Sequence, residues 1–169
     1  MCKKLILHDL QQEDAEKLFP QESPERTIFA AGPAVHHCVG CFGCWVKTPG
    51  KCVIKDRGSD FCRLMPLHDE VVIISRMVFG GLSPDVKAVL DRSIGFILPF
   101  FHIINGEMHH VKRYEKSPDL RYIFYGSDLK DKEKDTARKL VAGNVLNFGA
   151  ENYSVSFCSS VQEIKEALV

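Results

Sequence analysis

Four of the seven cysteines in this 169-residue chain lie in one short segment, at Cys38, Cys41, Cys44 and Cys52. A glycine precedes Cys41 and another precedes Cys44, and a Thr-Pro-Gly turn at residues 48–50 can bring the fourth cysteine back to the other three. This count and spacing satisfy the ligand set of a [4Fe-4S] cluster or of an all-cysteine zinc site. The alternative is a set of free thiols, either buried as small apolar side chains or poised as a redox dithiol.

The remaining cysteines and histidines carry weaker signals. His36 and His37 come directly before Cys38, and a second pair follows at 109–110. Adjacent residues on a strand point in opposite directions, so at most one histidine of each pair can face a metal centre. Three cysteines stand singly in predicted elements and are interpreted as structural or incidental: Cys2, Cys62 and Cys158.

Apolar runs that are typical of strands alternate along the chain with stretches that are typical of helices. The strongest run is 71–75, an unbroken β-branched segment of the kind that is buried on both faces of a parallel sheet. The alternation predicts a parallel sheet with helices on both faces and right-handed crossovers. The predicted strands are 3–8, 27–31, 71–75, 121–125 and 153–157, and the predicted helices are 11–19, 60–68, 84–93, 128–148 and 161–168.

The segment from about 95 to 119 does not fit this repeat. Its first half is apolar and aromatic, around Phe96 and Phe101, and its second half, 105–114, is polar. We interpret it as an insertion that covers either a partner subunit or the rim of a site, and we expect a homodimer or a higher homo-oligomer. A local hydrophobic flap is the alternative.

Length and charge limit the classes of function. The length predicts one domain, 1–169. Because 22 basic residues balance 22 acidic ones, we expect no nucleic-acid partner. No apolar stretch is long enough to span a bilayer and no secretory signal is evident, so we expect no membrane association and a cytoplasmic location. In a reducing compartment, clustered cysteines indicate metal or redox chemistry rather than disulfides.

Three segments carry a family resemblance: the cysteine segment through Asp56, the run 75–81 and the run 82–92. Together they resemble the NADPH-dependent FMN reductase and iron-sulfur flavoprotein branch of the flavodoxin superfamily. The resemblance implies a flavodoxin-like, doubly wound, five-stranded parallel sheet of order 2-1-3-4-5. The cysteine-rich loop would follow strand 2, and the insertion would follow the helix after strand 3.

The same resemblance implies cofactors and the residues that bind them. FMN would lie at the carboxyl ends of the strands, with NAD(P)H as electron donor and a small molecule or a protein as acceptor. One loop would contact the isoalloxazine ring largely through its backbone: Ser75, Arg76, Met77, Val78, Phe79, Gly80 and Gly81. A second loop would lie on the other side of the pocket: Tyr125, Gly126 and Ser127.

The loop after the first strand departs from the family pattern. Relatives carry a Gly-Ser-rich loop there, whose backbone N–H groups hold the FMN phosphate. This chain has residues 8–14, without glycine and with three carboxylates, Asp9, Glu13 and Asp14. These charges oppose a phosphate dianion. Arg76 stands where relatives often have proline.

Three hypotheses remain open. The first is an oxidoreductase or electron carrier with FMN, in which no catalytic side chain can be assigned because the flavin supplies the chemistry. The second is a flavin-free protein of the same fold that uses its cysteine loop as a metal or thiol redox sensor. The third is a structural or partner-binding dimer. Fold alone does not decide between them.

Overall fold

The main sheet has five parallel strands. In the computed structural model, which describes residues 2–168, seven strands occur: β1 (Lys4–His8), β2 (Arg26–Ala30), β3 (Glu70–Arg76), β4 (Ile97–Ile104), β5 (Glu107–Lys112), β6 (Asp119–Tyr125) and β7 (Tyr153–Cys158). Five of them form a parallel sheet in the order β2-β1-β3-β6-β7. With the β4–β5 hairpin set aside, this is the predicted order 2-1-3-4-5. The flavodoxin-like architecture is therefore confirmed.

Helices cover both faces of this sheet. They are α1 (Gln12–Leu18), α2 (Gly43–Val46), α3 (Phe61–Leu64), α4 (Pro84–Asp91), α5 (Asp131–Phe148) and α6 (Val161–Ala167). Helices α3, α4 and α5 pack into the larger apolar core on one face, and α1 and α6 pack into a smaller core on the other. No helix within residues 2–168 is long and apolar enough to cross a membrane.

Strand β3 shows why the sheet is buried on both sides. Successive side chains of a strand point to opposite faces. Val71 and Ile73 lie in the larger core, whereas Val72 and Ile74 lie in the smaller one, and all four are almost fully buried. The unbroken β-branched run therefore predicted the central strand correctly.

Two predicted helices differ from the structure. The helix expected at 60–68 is instead a 3₁₀ turn (Arg57–Asp60), a single α-turn (α3) and a second 3₁₀ turn (Met65–Leu67). Pro66 lacks the N–H that a continuous α-helix would need there. Helix α5 begins at Asp131 rather than Asp128, and ends as predicted at Gly149, which has a left-handed φ of 65°.

The insertion contains an antiparallel hairpin. Strands β4 and β5 pair across a turn formed by Asn105 and Gly106, whose φ values are 52° and 85°. Two consecutive positive φ angles are typical of a type I′ turn, for which Asn-Gly is the preferred sequence. The insertion was predicted at 95–119, but its hairpin was not, although Asn105-Gly106 is the sequence signal for it.

Candidate functional site

The carboxyl ends of β1, β3 and β6 are joined by hydrogen bonds. The Asp9 carboxylate accepts the backbone N–H of Arg76, with N···O distances of 3.0 and 3.1 Å. The Tyr125 hydroxyl donates to the Asp9 carbonyl oxygen at 3.3 Å. The Met77 N–H donates to the Tyr125 carbonyl oxygen at 2.9 Å. The structure thus brings the two loops expected at a flavin, 75–81 and 125–127, to one edge of the sheet.

Within the first of these loops, Ser75 has a structural role. Its buried hydroxyl accepts the Ser83 N–H at 2.9 Å and donates to the Arg76 carbonyl oxygen at 3.0 Å. Ser83 in turn caps α4 by accepting the Val86 N–H. The Ser75 hydroxyl therefore holds the end of β3 against the start of α4, and this leaves the backbone of the following turn as the part of the loop available to a ligand.

That turn is tight and strained. The backbones of Val78 and Gly81 bond to each other at 2.9 and 3.0 Å, and Phe79 and Gly80 between them have φ values of 51° and 76°. A phenylalanine in the left-handed region is uncommon because its Cβ crowds the following carbonyl. The Phe79 side chain is also 89% exposed. Strain of this kind, on an exposed aromatic residue, is typical of functional loops.

Tyr125 is held in its protonated form. Burial raises the pKa of its hydroxyl, and the neighbouring Asp9 raises it further. The other members of the loop differ: the Gly126 N–H donates to the Cys158 carbonyl oxygen at 3.1 Å, and Ser127 is exposed. Neither Ser127 nor Asp128 caps α5, whose N-cap position is Lys130.

The loop between β1 and α1 does not fit a phosphate group. Helix α1 has no side-chain cap at Gln11, and its first turn carries Glu13 and Asp14. Asp9 already accepts the Arg76 N–H and presents its negative charge at the same edge. Anions bind helix N-termini because the N–H groups there carry positive partial charge, and carboxylates in the first turn offset that charge.

The cysteine loop surrounds a small cavity of about 50 Å³. Cys44 is buried in the first turn of α2, Cys52 is half-buried, and Cys38 and Cys41 are exposed. Residues from two other segments, Ile54, Arg92 and Ile94, complete the lining. The four predicted ligands all line this cavity: Cys38, Cys41, Cys44 and Cys52.

The spacing of these thiols bears on which metal group they could hold. No group of three or more His, Cys, Asp or Glu side chains within residues 2–168 is placed to hold a single metal ion. A tetrahedral zinc ion needs its ligands close together, whereas a cubane cluster spreads its four thiolates over separate iron atoms. Four cysteine thiols that line one cavity have the number and type of ligands that a cluster needs.

Burial keeps the inner thiols protonated when no metal is bound. Burial raises the pKa of the Cys44 thiol, and the sulfur of Cys52 raises it further. Cys62 lies beneath the loop, where burial raises its pKa to about 11 and its thiol donates to the Gly50 carbonyl oxygen at 2.9 Å. Reactive thiols have lowered pKa values. Neither residue has the environment of a redox nucleophile.

A buried ion pair adjoins Cys52, and sequence reasoning missed it. Arg92, whose side chain is fully buried, bonds the Asp56 carboxylate through Nη1 at 2.5 and 2.6 Å. Its Nε–H donates to the Cys52 sulfur at 3.4 Å. Burial would raise the pKa of Asp56, but hydrogen bonds from Arg92 and His36 outweigh it and hold that pKa well below its usual range. Spacing could have indicated that Arg92 is buried, since it lies three residues after buried Val89, but it could not have indicated the partner Asp56.

The insertion covers the cysteine loop through aromatic contacts. Trp45 donates its indole N–H to the carbonyl oxygens of Ile97, at 2.8 Å, and Ile94, at 3.2 Å. Its ring stacks on Phe42 and also contacts the ring of His110 in β5. Of the histidines considered as metal ligands, His36 instead directs its Nδ1 at Asp56, 2.9 Å away, and His109 bonds Asn147 and Glu107.

A larger cavity of about 690 Å³ connects the two loops. Its lining includes Cys38 and Gly40 of the cysteine loop and Gly81 and Leu82 after β3. The rest of its lining comes from α4, α5 and the hairpin and is mostly apolar. Its polar residues are Lys87, Asp91, His110, Asn144 and Asn147. Its volume is in the range of small-molecule sites.

Comparison of the sequence with known proteins gives a partial match. No family model matches the chain. An iron-sulfur flavoprotein of Methanocaldococcus jannaschii is 36% identical over 75 residues, which cover 42% of this chain and 38% of that protein. The match thus spans well under half the length of that relative.

Solved structures align over nearly the whole chain. An FMN-dependent NADH-azoreductase of Bacillus anthracis, determined in complex with FMN, aligns with a TM-score of 0.57 and 14% identity, covering 97% of this chain and 92% of that chain. An NAD(P)H:quinone oxidoreductase of Methanothermobacter marburgensis aligns with a TM-score of 0.62 and 12% identity, covering 98% and 95%. At such low sequence identity, these structural alignments show a shared fold and nothing further. The chain is therefore a flavodoxin-like α/β protein, as the sequence predicted.

Proposed function

We propose that this chain is an electron-transfer oxidoreductase in which four cysteines hold a [4Fe-4S] cluster. The observation that carries the proposal is that all four thiols line one cavity and that a buried guanidinium donates to one of them. The partial match to an iron-sulfur flavoprotein supports it. The proposed ligands are Cys38, Cys41, Cys44 and Cys52.

The residues around the loop would perform separate tasks. When bound, such a cluster would supply one-electron transfer between an electron donor and a quinone or protein acceptor. Cys44 and Cys52 belong to the buried side of the loop and would fix the position of the centre. Phe42 and Trp45 stack beside the loop, and the hairpin covers Trp45, so these rings would limit the access of water.

The connecting cavity supports an acceptor or donor site next to the cysteine loop. Both Cys38 and Gly81, which closes the turn after β3, line it. The one cation–anion pair among its lining residues, Lys87 and Asp91, is joined at 2.5 Å and neutral overall. An uncharged, planar molecule such as a quinone matches mostly apolar walls with two amide groups.

An FMN-dependent NAD(P)H reductase is the second candidate. It is favoured by the meeting of loops 75–81 and 125–127 at the sheet edge and by the strained, exposed Phe79. The aligned azoreductase was determined with FMN. The acidic loop after β1 opposes the phosphate, so we derive no step from a phosphate contact there. The flavin-free metal or thiol sensor and the structural dimer remain the other outcomes of the experiment below.

The test is a comparison of purified variants under anaerobic conditions. The double variant Cys41→Ala/Cys44→Ala is expected to lose bound iron and sulfide while keeping its far-UV circular dichroism spectrum. The matched control is Cys158→Ala, which removes a buried thiol on the opposite core of the sheet and should keep both. Flavin is measured in the same samples. Undiminished iron in the double variant would refute the ligand assignment.

A further inference from the structure

The residue with the most specific contact to the cysteine loop is Arg92. It is the first residue of the 3₁₀ turn Arg92–Phe96 that follows α4, and 1% of its surface is exposed. Its Nε–H donates to the Cys52 sulfur at 3.4 Å. A fully buried guanidinium needs partners for its charge and its N–H groups, because removing it from water is costly.

Those partners fix the plane of the guanidinium. Nη1 bonds both Asp56 oxygens and lies 3.2 Å from the His36 carbonyl oxygen, and Nη2 donates to the Ile54 carbonyl oxygen at 3.0 Å. Asp56 is itself held by N–H groups of His36 and Gly58, at 3.0 and 2.8 Å. With both terminal nitrogens committed in this way, Nε is left directed at one sulfur only.

We propose that Arg92 is a positioning residue that orients Cys52 as a cluster ligand and raises the reduction potential of the cluster. This inference rests on the proposed function. Hydrogen bonds to ligand sulfurs and nearby positive charge stabilise the extra electron of a reduced cluster, and both raise its potential. The Asp56 carboxylate acts in the opposite sense because it offsets part of the charge of Arg92.

Substitutions of Arg92 and of Asp56 should shift the reduction potential of the cluster in opposite directions. Arg92→Gln removes the charge and the Nε–H donor, so the potential should become more negative. Asp56→Asn leaves the charge of Arg92 uncompensated, so the potential should become more positive. A role that is only structural would not separate the two variants by sign. The expected size is at least tenfold in the ratio of oxidised to reduced cluster at a fixed potential, which is about 59 mV for one electron.

The experiment is an anaerobic redox titration of the full chain, followed by visible absorption and by electron paramagnetic resonance, with iron and sulfide measured in each sample. Arg121→Gln is the control, because Arg121 also forms an ion pair, with Glu70 at 2.8 Å, but at the opposite end of β3. Its potential should equal that of the wild type. If Arg92→Gln does not fold, Arg92→Lys replaces it in the test. Lysine keeps the positive charge but lacks the planar guanidinium that donates to Cys52. The reduction potential of the cluster in this variant should still be below the wild-type value.

The outcomes separate this inference from the proposed function. Opposite shifts in the Arg92 and Asp56 variants, with the control unchanged, support the inference. If the Arg92 and Asp56 variants retain their iron but have the reduction potential of the wild type, or shift it in the same direction, the inference is overturned and the proposed function stands. A wild-type chain without iron and sulfide overturns both.

Discussion

His8 ends β1 as a buried, neutral acceptor. Its Nδ1 accepts the Leu10 N–H at 3.2 Å, and burial lowers its pKa below the ordinary value of 6.5. The unfolded chain therefore binds this proton more readily than the folded chain does. The contribution to stability is present above the unfolded pKa and is lost as the pH falls below about 6.5.

We therefore expect the free energy of unfolding to depend less on pH in the variant His8→Asn. Asparagine offers an oxygen in the place of Nδ1 and does not titrate. Urea unfolding at several pH values between about 7.5 and 5 measures the slope. His102→Asn, at an exposed position, is the control and should keep the wild-type slope. Parallel profiles for His8→Asn and wild type would contradict the assignment.

At the scale of residues, the sequence shows which side-chain types lie close together along the chain, but it does not show which distant residues contact one another. The spacing of Cys38, Cys41 and Cys44 and the acidic character of the first loop were readable, because both are local properties. The contacts of Arg92 with Asp56 and Cys52 join residues that are 36 and 40 positions apart. Such pairing depends on how α4 packs over the loop, which no local pattern specifies.

At the scale of elements, the turn after β3 depends on close packing with α5. A Cβ added to Gly80 would lie 2.8 Å from the Glu133 carbonyl oxygen and 2.8 Å from the Cβ of Thr136. Gly106 in the hairpin also has a positive φ, 85°, but a Cβ there would meet nothing within 4 Å. Comparing substitutions at these two glycines therefore distinguishes the cost of backbone strain, which both share, from the cost of a steric clash, which only Gly80 has.

We expect Gly80→Ala to destabilise the fold more than Gly106→Ala does. Both substitutions carry the left-handed backbone cost of about 1 to 2 kcal/mol. Gly80→Ala adds a contact with backbone that cannot move cheaply, which costs about a further 1 to 3 kcal/mol. Chemical denaturation of both variants gives the comparison. Equal losses of stability would show that the turn after β3 is not packed against α5 as described.

Periodicity predicted the five strands of the main sheet, because β-branched runs and buried parallel strands are strongly linked. Their order was implied by the family resemblance, not by periodicity. Periodicity gave the wrong helix boundaries where single residues end or delay a helix. Pro66 breaks the helix expected at 60–68 into turns. The N-cap position of α5 is Lys130, whose side chain has no acceptor, rather than Ser127 or Asp128. The hairpin was missed although Asn105-Gly106 marks it, because the segment was interpreted by hydrophobicity alone.

At the scale of the whole molecule, the hairpin presents an apolar surface. Ile103 and Met108 are directly opposed across the two strands and are 66% and 67% exposed. Phe101, two residues before Ile103 and therefore on the same face of the hairpin, is 58% exposed. Exposed apolar side chains grouped in this way are typical of surfaces that are covered in solution. A second copy of the chain is the partner that the sequence led us to expect.

Replacing Ile103 should therefore weaken self-association. We expect the wild type to be a dimer or a larger oligomer in size-exclusion chromatography with light scattering, and Ile103→Glu to shift it toward the monomer. Leu67→Glu is a matched control, since Leu67 is 65% exposed but lies outside the hairpin. A monomeric wild type, or equal effects of the two substitutions, would exclude the hairpin as the contact.

The central claim is that the cysteine loop holds a [4Fe-4S] cluster, and the most direct measurement is iron and sulfide content with the visible spectrum of the anaerobically purified chain. If the loop holds this cluster, each chain should contain about four iron and four sulfide ions and show a broad absorption that bleaches on reduction. A colourless chain, with neither iron nor sulfide after anaerobic purification and reconstitution, would contradict it.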